Sequence, residues 1–149
     1  MKISIQPEDF SIANECDILR HANPECGALV TFSGLVRDLD QGRHVESLIL
    51  EHYPGMTESS LEKIIHQAEE RWPILDVTVI HRIGELKAGE QIVFVAVASL
   101  HRQAAFSACE FIMDFLKTRA PFWKKCRDEN GESWVEAKSS DTEASQRWE

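Results

Sequence analysis

Residues 2–6 alternate polar and apolar, and Pro7 ends the run, so a short strand is expected there. Ile12, Cys16 and Leu19 fall at helical spacing and predict a short amphipathic helix over 11–22, closed by Asn23-Pro24. Residues 27–37, GALVTFSGLVR, are rich in β-formers, and Gly34 within them marks a bulge or a close backbone approach. The polar stretch 38–44 reads as a loop. Residues 45–53 form the next strand, so the two strands are expected to pair as a long hairpin. Leu61, Ile64, Ile65 and Ala68 give a helix over 57–72 its apolar face, with Thr57 as N-cap. Residues 75–83 alternate with Val77, Val79, His81 and Ile83 on one face, and Gly84 and Gly89 bracket a turn. The run 92–100, IVFVAVASL, is almost continuously apolar, as in a central strand buried on both faces. His101-Arg102 then opens a second long helix to about Arg119, with Ala105, Phe106, Cys109, Ile112, Met113 and Leu116 on its apolar side. Asn130-Gly131 predicts a hairpin turn between arms at 122–127 and 133–138.

Two long helices, about seven short strands and hairpins in place of regular βαβ alternation indicate an α+β domain with a mostly antiparallel sheet. The polar tail 139–149 carries a lone Trp148 and reads either as a frayed helix or as a segment that docks on a partner. A length of 149 residues, 43% of them hydrophobic, suits one domain with a real core.

Charge narrows the function. The formal net charge is -9, which argues against nucleic acid or an anionic membrane as a general partner. The sequence starts without a charged-then-apolar segment, and no apolar run reaches membrane-spanning length. None of the four cysteines forms a C-x-x-C pair, so a cytoplasmic protein with reduced thiols is expected. The six histidines show no H-x-H, H-x-x-x-H or H-E-x-x-H spacing, and no metal site is expected. There is no G-x-S-x-G elbow, no Walker A loop and no G-x-G-x-x-G.

Within this acidic chain, residues 116–127, LKTRAPFWKKCR, hold Lys117, Arg119, Lys124, Lys125 and Arg127 and no acid. Clustering like charges costs free energy unless an anion offsets it. Pro121 cannot continue a helix and pushes Ala120 toward an extended conformation. Lys117 is therefore expected in the last helical turn and Lys124 on the extended segment after it, an arrangement that can aim two ammonium groups at one pocket. A solvated helix end fits the same residues, since cations are favoured at helix C-termini. Lys117 could then pair with Asp114, a contact worth roughly 0.2–0.5 kcal/mol. Further cations sit at element ends: Arg37 after a strand, and His101 and Arg102 where the buried strand meets a helix N-terminus with free N–H groups. The residues alone lead to an anion-binding domain.

The motifs SGLVR (33–37), LEHYPGM (50–56), VIHRIGEL (79–86), SLHRQAAF (99–106) and FIMDFLKTRAPFWKK (111–125) go further. In this order, and continuing to WVEAK (134–138), they closely resemble the MoaE family, the large catalytic subunits of molybdopterin synthase. The resemblance implies an α/β-hammerhead fold with a small β-hairpin subdomain, and a homodimer within a heterotetramer. It implies a small ubiquitin-like (MoaD-like) subunit whose C-terminal Gly-Gly thiocarboxylate enters the large subunit's pocket. Two sulfurs pass to cyclic pyranopterin monophosphate and form the molybdopterin dithiolene, with no metal and no cofactor at this step. By the same resemblance Lys117 and Lys124 are the catalytic pair. Leu35, Val36, Arg37, His101, Arg102, Lys125, Cys126 and Lys138 join them in substrate binding, and Lys138 reaches the neighbouring subunit's site. Many relatives carry an acid where this chain has Cys126. Two other readings of the basic stretch stand beside this one: an adaptor that docks a ubiquitin-like protein without chemistry, and a phosphometabolite enzyme of another reaction type that needs no protein partner.

Overall fold

The computed structural model describes residues 1–149 apart from 41, 136 and 137, and for 40 and 43 the backbone alone. The described elements run β1 (Lys2–Gln6), α1 (Ile12–Ala22), β2 (Ala28–Leu35), β3 (Leu39–Asp40), β4 (Arg43–His44), β5 (Ser47–His52), α2 (Met56–Arg71) and β6 (Ile74–Arg82), and then β7 (Gly84–Lys87), β8 (Gln91–Ser99), α3 (Arg102–Arg119), β9 (Phe122–Asp128), β10 (Gly131–Val135) and α4 (Ser139–Gln146).

The apolar run at 92–100 becomes β8, an interior strand of a four-stranded sheet ordered β1-β6-β8-β2. Both of its faces are covered, which is why it lacks polar alternation. Val93, Val95 and Val97 join Val77 and Val79 of β6 against Leu61, Ile65, Ala108, Phe111 and Ile112 of α2 and α3. Phe94 and Ala96 face the other way, with Ile80 and Leu19 of α1. A second sheet, ordered β10-β9-β5-β7, lies beside the first. Of the strand pairs among the described residues of the two sheets only β1 with β6 is parallel, so the α+β, mostly antiparallel expectation holds.

The hairpin expected between 27–37 and 45–53 does not form. β2 pairs with β8 over Ala28–Leu35, and β5 pairs with β7 on one side and β9 on the other. Periodicity marks a segment as a strand but carries no information about its partner, and here the long apolar β8 takes β2 at the edge of the first sheet. Within the expected loop 38–44, β3 and β4 form a two-residue ladder, and the expected turn at 84–89 contains β7. The β9–β10 hairpin forms about Asn130-Gly131, and β9 continues the sheet through β5. Its second arm was expected to reach 138; β10 ends at Val135, and 136 and 137 lie outside the described residues.

Gly34 behaves as read. The β2–β8 register shifts between Gly34 and Leu35, and a Cβ on Gly34 would lie 2.7 Å from Val93 Cγ1. Thr57 is not the N-cap of α2. Gly55 caps it at φ 83°, donating its N–H to Glu58 Oε2 at 2.6 Å. Thr57 is instead fully buried, and its hydroxyl accepts from Tyr53 N and donates to the Pro121 carbonyl, both at 3.0 Å. The tail forms α4 along α3, and Trp148 sits edge-on to Trp72 and Phe111 at 5.6 Å from each.

Candidate functional site

Pro121 does what its chemistry requires. α3 stops at Arg119, and Ala120 is extended at φ -82°, ψ 130°. The Thr57 hydroxyl on the Pro121 carbonyl pins this break to the first turn of α2. The chain therefore turns sharply between the last turn of α3 and the start of β9, and Lys117 and Lys124 line one cavity of about 280 Å³ between the two sheets. Gly34 and Leu35 of β2, Ile92 and Val93 of β8 and Leu48 of β5 contribute its apolar wall. Arg37 reaches it from the end of β2, and Lys138 and Asp141 from the start of α4. Among the described residues, four cations and one carboxylate thus face the cavity of a chain whose net charge is -9.

The two lysines are within side-chain hydrogen-bonding reach of each other. Lys117 is exposed at the rim and Lys124 is half-buried. Burial comes first among the causes that push the Lys124 ammonium down to about 8, and the neighbouring Lys117 charge adds to it. Asp141 opposes the shift, and Lys138 reinforces it. An anion placed between the lysines would relieve this repulsion, so the pocket is built for a negatively charged ligand. The surface pair of Lys117 with Asp114 is absent from this arrangement: Asp114 accepts from Arg147 Nη2 at 2.8 Å and from Trp148 Nε1 at 2.6 Å.

The other residues singled out from the sequence divide. Leu35, Arg37 and Lys138 line the cavity. Lys138 does so in its own chain, whereas the resemblance gave it to the neighbouring subunit's site. Val36 is buried in the core, and its backbone donates to the Glu90 carbonyl at 2.9 Å and accepts from Gly89 N–H at 2.7 Å. It fixes the end of β2 so that Leu35 and Arg37 can reach the cavity. Cys126 shares a strand face with Lys124 but is only 1% exposed, within the core. Lys125 points to the opposite face of β9 and lies 4.6 Å from the Trp134 ring centre. His101 and Arg102 are exposed at the other end of α3. At 1.5 Å per residue, Arg102 and Lys117 stand roughly 22 Å apart along the helix. One chain does not bring that pair to its own cavity.

His81 also lines the cavity, and the sequence placed it only on one strand face with Val77, Val79 and Ile83. Its ring stacks on Phe122 with centroids 3.8 Å apart. Burial, with the Lys124 and Lys117 charges adding, pushes it down to about 3, against the opposing hydrogen bond to the Arg82 carbonyl. The available signal was its position in register with Val77 and Val79, two residues before the chain leaves β6. Among the described residues no three His, Cys, Asp or Glu side chains are grouped to hold a metal ion, and no helix is long and apolar enough to cross a membrane.

Comparison with known proteins places this geometry. The family model described as MoaE protein matches residues 5–119. The molybdopterin synthase catalytic subunit of Vibrio cholerae is 55% identical over 99% of this chain and 98% of its own length. That of Escherichia coli is 54% identical over 99% of this chain and 97% of its own. The structure of a molybdopterin biosynthesis MoaE protein from Burkholderia ambifaria superposes with a TM-score of 0.85 at 52% identity, covering 99% of this chain and 97% of that one. Agreement of this extent, in sequence and in three dimensions, means that the chain belongs to the MoaE family, the catalytic subunits of the sulfur-transferring enzyme molybdopterin synthase.

Proposed function

We propose that Lys117 and Lys124 carry out the sulfur transfer of a molybdopterin synthase in this chain. The observation that carries the reading is their convergence, after the Pro121 break, on one cavity rich in cations. Both reactants are anions, a C-terminal thiocarboxylate of a small ubiquitin-like subunit and a cyclic pyranopterin monophosphate. A local positive field attracts both to a protein that otherwise repels them. The thiocarboxylate sulfur attacks the side-chain carbon that bears the cyclic phosphate, forming a carbon–sulfur bond as that carbon's bond to the phosphate oxygen breaks, and leaving an acyl thioester. Water then cleaves the acyl–sulfur bond, so that sulfur stays on the pterin and the tail leaves as a carboxylate. A second tail attacks the neighbouring carbon, whose oxygen leaves as water with a proton from the first carbon, so that hydrolysis of the second thioester completes the carbon–carbon double bond and the dithiolene. Lys117, at the rim, stabilises the thiocarboxylate and the charge that develops during attack. Lys124, deeper in the cavity, holds the substrate and the phosphate as its ring opens, and Arg37 anchors the same phosphate.

His101 and Arg102 act on the second copy's cavity in a homodimer. The apolar side chains beside them favour a copy-to-copy face: Leu100 is 48% and Phe106 61% exposed. The heterotetramer then consists of two such chains and two small subunits, and the reaction takes place in the cytoplasm. The test is reconstitution with cyclic pyranopterin monophosphate and the small subunit in its thiocarboxylate and carboxylate forms. Dithiolene from the first form alone supports the reading; tight binding of both forms without product makes the chain an adaptor.

The Lys124 charge sets an expected pH dependence. Its ammonium is the working form, and it is lost as pH rises through about 8. A plot of kcat/KM against pH should therefore fall on its alkaline side with a midpoint near 8 and not near the ordinary lysine value of 10.5. A profile flat to pH 10 removes Lys124 from phosphate binding.

A further inference from the structure

His81 is 3% exposed on the wall of the cavity. One ring nitrogen, Nδ1, lies 2.8 Å from the Arg82 carbonyl oxygen. A carbonyl can only accept, so Nδ1 carries the proton and Nε2 keeps its lone pair. The ring plane is fixed by the stack on Phe122, at an interplanar angle of 17°. Among the described residues Nε2 has no hydrogen-bond partner, and yet no fully buried side-chain nitrogen or oxygen lacks one. Nε2 therefore opens on the cavity. Burial and the two lysine charges keep the ring neutral, so it is an acceptor and not a third cation.

A neutral acceptor beside two ammonium groups suits a ligand that brings an anion and an N–H donor close together. The end of a peptide has this chemistry: one Cα separates the last N–H from the terminal acid. In a pyranopterin phosphate the ring N–H groups stand several bonds further from the anionic oxygens. Phe122, Val93 and Leu116 line the same cavity, whose volume of about 280 Å³ favours a last residue without a side chain.

We propose that His81 is a recognition residue for the reactive end of an extended peptide, its Nε2 accepting the N–H of the terminal glycine while Lys117 holds the terminal anion. This rests on the reading that a partner's C-terminal tail enters the cavity. The same hydrogen bond orients the acid carbon toward Lys117.

The test compares the small subunit ending in Gly-Gly with a semisynthetic form in which an ester oxygen replaces the last N–H. The ester form should bind the wild-type chain roughly three- to tenfold more weakly, as for the loss of one hydrogen bond. His81→Leu should bind both forms with equal affinity, and His81→Gln, which keeps an acceptor, should retain the preference for the amide. Equal affinity of both forms for the wild-type chain overturns the proposal, as does an undiminished preference in His81→Leu. If His81→Leu does not fold, the wild-type and His81→Gln comparisons decide alone. Failure of the tail reading looks different: neither form binds, whatever the last linkage.

Discussion

Lys117→Ala is expected to slow dithiolene formation by about 10²–10³-fold, the range for removing one preorganised stabiliser of developing charge. The loss should fall on the chemical step. Lys117 is exposed in the last turn of α3, and no ion pair among the described residues holds it to the fold. Its removal also relieves repulsion on the half-buried Lys124. Thermal unfolding should therefore stay close to that of the parent chain, and the small subunit should still bind. Single-turnover rates measured beside melting curves separate these effects. Near-normal turnover in a normally folded variant sinks the assignment.

Phe111→Ala is expected to be the most damaging single change to the fold, at about 3–5 kcal/mol. Phe111 is completely buried, with Trp72, Phe115 and Trp148 packed edge-on at 5.4, 4.6 and 5.6 Å. The Arg71 guanidinium lies 4.8 Å from its ring centre. Removing the ring opens a cavity under α3 and also loosens Trp148, whose carbonyl accepts from Arg71 at 2.6 Å. At roughly 2–4 °C per kcal/mol for a chain of this size, the melting temperature should drop by about 10 °C. Proteolysis should begin at the tail. Because the lysines are not touched, activity per folded molecule at low temperature should be preserved. A drop of a degree or two in melting temperature would mean that this aromatic cluster does not anchor the tail.

Local physics was legible in the sequence where one residue decides the outcome. Pro121 can only break α3, and with the break comes the approach of Lys117 to Lys124. The almost continuous apolar run at 92–100 fits an interior strand, and Gly34 marks a bulge because a Cβ there meets Val93. Partner choice was not legible. β2 and β5 have the right composition for a hairpin, but pairing depends on which other strands compete, and β8 and β9 win. His81 was hidden because a lone histidine in a strand of valines looks like any core residue; only the folded neighbours Phe122, Lys117 and Lys124 give it a role. His101 and Arg102 were grouped with the lysines on charge, on their place at a helix N-terminus and on the family resemblance. The length of the helix between them, already visible in the sequence, separates the two sets. Asp114 shows the opposite case: its neighbour in sequence is Lys117, but the tail supplies closer partners in Arg147 and Trp148.

The central claim is that sulfur passes from a partner's tail to the pterin in the Lys117–Lys124 cavity. The most direct measurement follows the atom. The small subunit is charged with isotopically labelled thiocarboxylate sulfur, mixed with this chain and cyclic pyranopterin monophosphate, and the product is analysed by mass. The account predicts two labelled sulfurs in each dithiolene with the wild-type chain, and label retained on the tail with Lys117→Ala. Dithiolene sulfur without label, or undiminished transfer of label in the Lys117→Ala chain, would contradict it.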